Sequence, residues 1–156
     1  MLTERIESKW IDAFTKTFEL CNIKQGDVVA ILSETLSRPV NVQLTELALL
    51  RLKARPFHIV LPTPPLDSAV PIRSTGSSVA IGENPAVVKA LSASTMVADC
   101  SIEGLQHAKE TATILGAGSR ILYVSNEHPE ILERLVPDPS LKPKVDRGVE
   151  MLKGAK

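Results

Sequence analysis

Three short, nearly all-apolar runs constrain what this chain can fold into. They span residues 27–32, 57–61 and 120–124, and segments with helical periodicity separate them. A brief apolar run of this kind is typical of a strand that is buried on both faces, as in a parallel sheet covered by helices. The sequence therefore predicts an α/β domain built from β–α units.

A fourth, shorter strand is predicted at residues 96–98, and the helical segments fall between and after the strands. The predicted helices are 3–22, 39–54, 85–92, 102–115, a short helix after His128-Pro129 and a last one carrying Val145, Val149 and Leu152. Right-handed crossovers place helices on both faces of such a sheet. The predicted fold is a Rossmann-like three-layer sandwich with a four-stranded parallel sheet of order 2-1-3-4. The alternative order is 3-2-1-4, and in either the loops beside strand 1 form the default site.

Length and charge narrow the class of protein. The 156 residues suit a single α/β domain, 1–156. Lys+Arg and Asp+Glu both number 18, no basic run is present, and the chain has one Trp and one Tyr. This composition argues against nucleic-acid binding, which needs a positive track and stacking platforms. With no signal peptide and no apolar run of about 18 residues, a cytoplasmic protein without membrane contact is expected.

The cysteines and histidines predict neither a disulfide nor a metal site. Cys21 and Cys100 form no Cys-x-x-Cys pair, and we expect both to be small buried hydrophobic residues. The three histidines, His58, His107 and His128, are far apart and form no metal-binding motif.

Each histidine has a different structural expectation. His58 lies within a predicted strand and is expected to pack in the core. His128 precedes Pro129 and is expected at a helix N-terminus. His107 follows strand 3, where it could reach a cleft at the carboxyl edge of the sheet and titrate near neutral pH. An ordinary position on a surface helix is the alternative for His107.

Small polar groups follow strands 1 and 4. Ser33, Glu34 and Ser125 are candidate substrate-binding residues, although loops after strands are polar in most proteins, so both interpretations stay open. Gly116 and Gly118 precede a strand, which indicates the end of a helix and not a phosphate-binding turn.

Four segments share their order and spacing with a known enzyme family: residues 52–62, 82–91, 105–122 and 129–137. The third begins Leu105-Gln106-His107-Ala108-Lys109-Glu110 and continues to Gly118-Ser119-Arg120-Ile121-Leu122. Across nearly its whole length the chain resembles the N-terminal domain of the 2,5-dihydroxypyridine 5,6-dioxygenase family. That family is related in fold to the M29-type thermophilic aminopeptidases.

The resemblance implies an enzyme that opens the ring of a dihydroxylated pyridine with molecular oxygen, in nicotinate or nicotine breakdown. The family uses a mononuclear non-haem Fe(II). His107 matches the family's Leu-x-His-x-x-Glu segment, whose histidine is a candidate acid/base for a substrate hydroxyl. The family's iron ligands belong to a C-terminal domain, so Fe(II) is expected only in the full-length enzyme. This chain alone is expected to hold no metal and to be inactive.

Two other functions remain open. The chain could be the N-terminal domain of an M29-type metallo-aminopeptidase, whose metals would also lie in the missing domain. It could instead be a non-enzymatic α/β module that binds a ligand or assembles. The expected partner is the missing C-terminal metal-binding domain, and a homo-oligomer is possible because an uncovered domain exposes apolar surface.

Overall fold

A computed structural model describes residues 5–65 and 76–154 and shows helices alternating with strands. The strands are β1 (Val28–Glu34), β2 (Arg55–Leu61), β3 (Met96–Cys100) and β4 (Arg120–Tyr123). The helices are α1 (Ser8–Leu20), α2 (Pro39–Arg51), α3 (Pro85–Ser92), α4 (Thr111–Gly116), α5 (Pro129–Arg134) and α6 (Lys142–Lys153), with a 3-10 helix at Pro139–Leu141 before α6.

The four strands form one parallel sheet in the order β2-β1-β3-β4. This confirms the predicted order 2-1-3-4, and the alternative order 3-2-1-4 is wrong. Two-face burial, the premise of the prediction, holds for the central strands β1 and β3. The edge strands are only partly buried, since each has a neighbour on one side.

Helices cover both faces of the sheet, as the three-layer prediction requires. Alternation along β1 directs Val29 and Ile31 into a core with α1 and α2, and Ala30 and Leu32 into a second core with α3 and α4. The larger core includes Trp10, Phe14, Phe18, Leu44, Leu49 and Met96. The second includes Ile81, Leu91, Val97, Leu105 and Ile114.

Local signals fix the starts of three helices. Pro39 and Pro85 occupy the first turns of α2 and α3, where a missing N–H costs nothing. The Asn84 side chain accepts hydrogen bonds from the N–H groups of Ala86 and Val87 and so caps α3. His128 caps α5 through Nδ1, which lies 3.3 Å from the Glu130 nitrogen, as its position before Pro129 predicted.

Two predicted helix starts are wrong. The first helix begins at Ser8 and residues 5–7 are not helical, while residues 1–4 lie outside the described part of the chain. The helix predicted at 102–115 begins only at Thr111. Gly104 interrupts it with a left-handed φ of +79°, and a Cβ there would lie 3.0 Å from the Tyr123 ring.

The prediction that His58 packs in the core is also wrong. His58 lies on the edge strand β2 and is exposed, with Nε2 3.5 Å from Glu46 Oε1. The apolar run that suggested burial belongs to a strand with one sheet neighbour. Both cysteines are free, and Cys100 is buried as expected whereas Cys21 is partly exposed.

Candidate active site

The carboxyl ends of β1 and β3 meet at the point where the chain reverses its direction across the sheet. From β1 the chain passes through α2 to β2, and from β2 it returns through α3 to β3 on the other side of β1. Such a point is where open α/β sheets bind ligands. Glu34 and Asp99 lie on the same face of the sheet as the second core. Each stands two residues after a member of that core, Leu32 on β1 and Val97 on β3.

Asp99 is fully buried beneath the loop that follows β3. Its Oδ1 accepts hydrogen bonds from the N–H and hydroxyl of Ser101, at 3.0 and 2.5 Å. Its Oδ2 accepts one from the Leu105 N–H at 2.7 Å. Burial raises the pKa of Asp99 to about 6 despite these donors. The carboxyl group therefore organises the loop and carries a perturbed pKa at the sheet edge.

Glu34, at the end of β1, is the second buried carboxyl of this edge. Its Oε1 accepts hydrogen bonds from the Ile102 N–H at 3.2 Å and the Ser78 hydroxyl at 3.3 Å. Burial also raises the pKa of Glu34. Glu34 thus joins the loop after β3 to the segment at residues 76–78.

His107 lies in the turn before α4 and is exposed. It lines a cleft of about 280 Å³ together with Ser78 and Lys109. The His107 backbone N–H donates to the Gly76 carbonyl, while no described residue forms a hydrogen bond with the imidazole. Across the cleft, Lys109 Nζ lies 2.9 Å from Glu83 Oε1, an exposed pair that lowers the pKa of Glu83. His107 and Lys109 thus stand in the wall of one cleft.

Ser33 and Ser125 lie apart from this cleft. Ser33 is buried, and its Cα pairs with those of Val60 and Cys100 in the sheet register. Ser125 follows β4, and its carbonyl accepts a hydrogen bond from Asn41 Nδ2 at 2.8 Å. Glu34, at the end of β1, and His107 both contact the segment at residues 76–78, whereas Ser125 does not lie beside them.

Sequence reasoning did not assign a site role to Asp99 or Ser78. The position of Asp99 at the end of a strand was the available signal, but its three donors come from the loop that follows and leave no pattern in the sequence. Ser78 comes shortly after residues 66–75, which lie outside the described part of the chain. No feature of the sequence around Ser78 predicts its hydrogen bond with Glu34.

The described residues do not offer an iron site. Within residues 5–65 and 76–154, no group of three or more His, Cys, Asp and Glu side chains is arranged to hold a metal ion. The two buried carboxyl groups are occupied by protein N–H and O–H donors. In the same ranges, no helix is long and apolar enough to cross a membrane.

Comparison with known proteins identifies the family. Residues 9–156 match the family described as 2,5-dihydroxypyridine 5,6-dioxygenase (NicX). The chain belongs to this family. It is 31% identical, over 145 residues, to the 2,5-dihydroxypyridine 5,6-dioxygenase of Pseudomonas putida, a match that covers 92% of this chain and 41% of that protein.

The fold agrees with the family assignment. The structure of 2,5-dihydroxypyridine dioxygenase from Pseudomonas putida KT2440 superimposes with a TM-score of 0.76 and 29% sequence identity. The superposition covers 88% of this chain and 40% of that one. The chain thus spans about two-fifths of the length of the dioxygenase relatives that it matches, and the sequence-based assignment to the family is confirmed.

Proposed function

We propose that the complete protein containing this chain opens the ring of 2,5-dihydroxypyridine, or of a similar dihydroxylated N-heteroaromatic, with molecular oxygen. Membership of the dioxygenase family is the observation that carries the proposal. This chain would form one wall of the active site. Such a reaction belongs to the breakdown of nicotinate or nicotine.

His107 would be the proton acceptor of the reaction. Its imidazole faces the cleft without a hydrogen-bond partner among the described residues, so a ring nitrogen is open to a substrate hydroxyl. A neutral imidazole can take the hydroxyl proton and leave the electron pair on the substrate oxygen, which makes the ring more electron-rich. Of the three polar residues predicted to bind the substrate, Glu34 is the proposed contact, because its carboxyl group binds the hydroxyl of Ser78 in the cleft wall, whereas Ser33 and Ser125 lie apart from the cleft.

The Fe(II) of the family would be held by residues outside this chain. The described residues hold no suitable ligand group, and the relatives are more than twice as long as the segment they share with this chain. We therefore propose that a C-terminal metal-binding domain is the partner of this one. It would also cover the apolar residues that α6 exposes, Val145, Val149, Met151 and Leu152.

Oxygen uptake by the complete gene product tests the proposal. The protein is loaded with Fe(II) without air and mixed with 2,5-dihydroxypyridine in oxygenated buffer, and dissolved oxygen and the aromatic absorbance are followed together. We expect one mole of oxygen to be consumed for each mole of 2,5-dihydroxypyridine that the loss of absorbance reports. A parallel assay with a leucyl peptide covers the peptidase alternative, because peptide cleavage without oxygen uptake would contradict the proposal.

A further inference from the structure

We infer that Asp99 is a positioning residue for His107, because its carboxyl group fixes the loop that carries this histidine to the cleft. The inference rests on the proposed role of His107. Asp99 cannot act on a substrate directly, since none of its surface is exposed. Its effect must pass through the residues that it holds.

Asp99 is itself held firmly. It lies on the central strand β3, where its Cα pairs with Leu32 on one side and Tyr123 on the other. The carboxyl group therefore has a fixed origin in the sheet. From there it accepts the three hydrogen bonds of Ser101 and Leu105, which define where the loop begins and where it turns.

The hold on Leu105 extends to His107. Leu105 is fully buried, and its carbonyl accepts hydrogen bonds from the Ala108 N–H at 3.0 Å and from the Thr111 hydroxyl. These bonds close the turn that contains His107. The His107 N–H is tied in addition to Gly76. The imidazole thus extends from a turn that is anchored on both sides, and Asp99 anchors its start.

Glu34 supports the same loop from β1. It accepts the Ile102 N–H and the Ser78 hydroxyl, and the Ser78 N–H donates to the Gly104 carbonyl at 2.8 Å. Asp99 has no ion-pair partner among the described residues, and a buried carboxyl without a cation is costly. Its three hydrogen bonds fix the geometry of the loop that follows β3.

Nuclear magnetic resonance of the 156-residue chain tests the inference without any activity. The variant Asp99→Asn keeps the side-chain size but places an amide N–H₂ group against N–H donors. We expect the His107 ring resonances to move and amide exchange at residues 101–107 to accelerate by about tenfold or more. Ser101→Ala removes only one of the donors and should produce a smaller change of the same kind.

Unchanged His107 ring signals in a folded Asp99→Asn chain would overturn the inference. If that variant does not fold, Ser101→Ala decides, because it removes one donor of the Asp99 carboxyl group. The inference predicts that Ser101→Ala shifts the His107 ring resonances, and it is wrong if those resonances stay in place.

Turnover of the complete gene product separates this inference from the proposed function. If Asp99 acts through His107, Asp99→Asn combined with His107→Gln should be no slower than His107→Gln alone. Multiplied losses in the double variant would overturn the inference. Full turnover of His107→Gln would instead refute the proposed role of His107, while the ring resonances still report whether Asp99 positions it.

Discussion

The backbone carbonyl of Gly76 accepts a hydrogen bond from the backbone N–H of His107. Gly76 has a left-handed φ of +72°, and a Cβ built on it would lie 3.2 Å from His107 Cδ2 and 3.0 Å from the Cβ of Gln106. The Gly76 N–H in turn donates to the Glu103 carbonyl at 2.6 Å. The absence of a side chain at residue 76 therefore lets the turn that carries His107 lie directly against this segment.

We expect Gly76→Ala to destabilise the chain and to displace His107. A left-handed φ alone costs a residue with a side chain about 1–2 kcal/mol, and the new methyl group would crowd Gln106. Urea unfolding measures the loss. Gly148→Ala is the matched control, because Gly148 lies within α6 with open space around it and should gain helix stability. Equal stability of Gly76→Ala and the wild-type chain would contradict this account.

The pKa of Asp99 predicts a pH dependence of stability. Because the folded chain raises this pKa from 3.8 to about 6, the fold holds the proton more tightly than the unfolded chain does. Asp99 therefore contributes roughly 3 kcal/mol to the free energy of unfolding below pH 4, and this contribution is lost as the pH rises through 6. Burial also raises the pKa of Glu34, so its contribution has the same sign.

Unfolding free energies of the wild type and of Asp99→Asn, compared from pH 4 to pH 7, isolate this contribution. The wild type should lose stability relative to the variant across that window. Asp138→Asn is the control, since Asp138 is exposed and Ser140 lowers its pKa from 3.8, so its contribution is already present above pH 4 and should stay nearly constant across the window. A constant difference between the wild type and Asp99→Asn would count against the assignment.

The two thiols should differ sharply in reactivity. Burial raises the pKa of both thiols, that of Cys100 to about 12. The two differ in exposure, because Cys100 is buried and Cys21 is partly exposed. Because the thiolate is the reactive form, only Cys21 should react with a thiol reagent in the native chain. In Cys21→Ser, labelling should require denaturant. Rapid labelling of Cys100 in that folded variant would show that the core is open.

Asn41 connects the start of α2 to the loop after β4. It is buried, and its Nδ2 donates to the carbonyls of Ser125 and Glu127, at 2.8 Å each. Asn41→Ala would leave both acceptors without this donor, and we expect a loss of roughly 2–4 kcal/mol in unfolding free energy. Gln43→Ala, an exposed change on the same helix, should cost little. Similar stabilities of the two variants would show that the connection is dispensable.

The sheet could be predicted because its signals are local. Residues 28–32 of β1 and 96–98 of β3 are apolar throughout, and prolines and an asparagine mark the starts of α2 and α3. His58 was misplaced because an apolar run does not distinguish an edge strand from a central one. Burial of β2 depends on its number of neighbours, which is a property of the assembled sheet.

The loop that carries His107 could not be predicted in the same way. Leu105 to Leu115 has helical periodicity, yet Asp99 captures the Leu105 N–H and the Tyr123 ring packs against Gly104. These partners belong to β3 and to the end of β4. Their contacts with the segment prevent it from forming a helix before Thr111, despite its helical periodicity. The position of His107 after strand 3 was predictable, whereas the two buried carboxyl groups that shape its loop were not.

The pH dependence of ring opening by the complete gene product, compared between the wild type and His107→Gln, tests the central claim most directly. General acid–base catalysis predicts that His107→Gln lowers kcat/KM by about a hundredfold or more and changes the shape of the pH profile. His58→Gln, an exposed change on β2, is the control and should retain wild-type rates. A His107→Gln enzyme with wild-type kcat/KM and an unchanged profile would contradict the account.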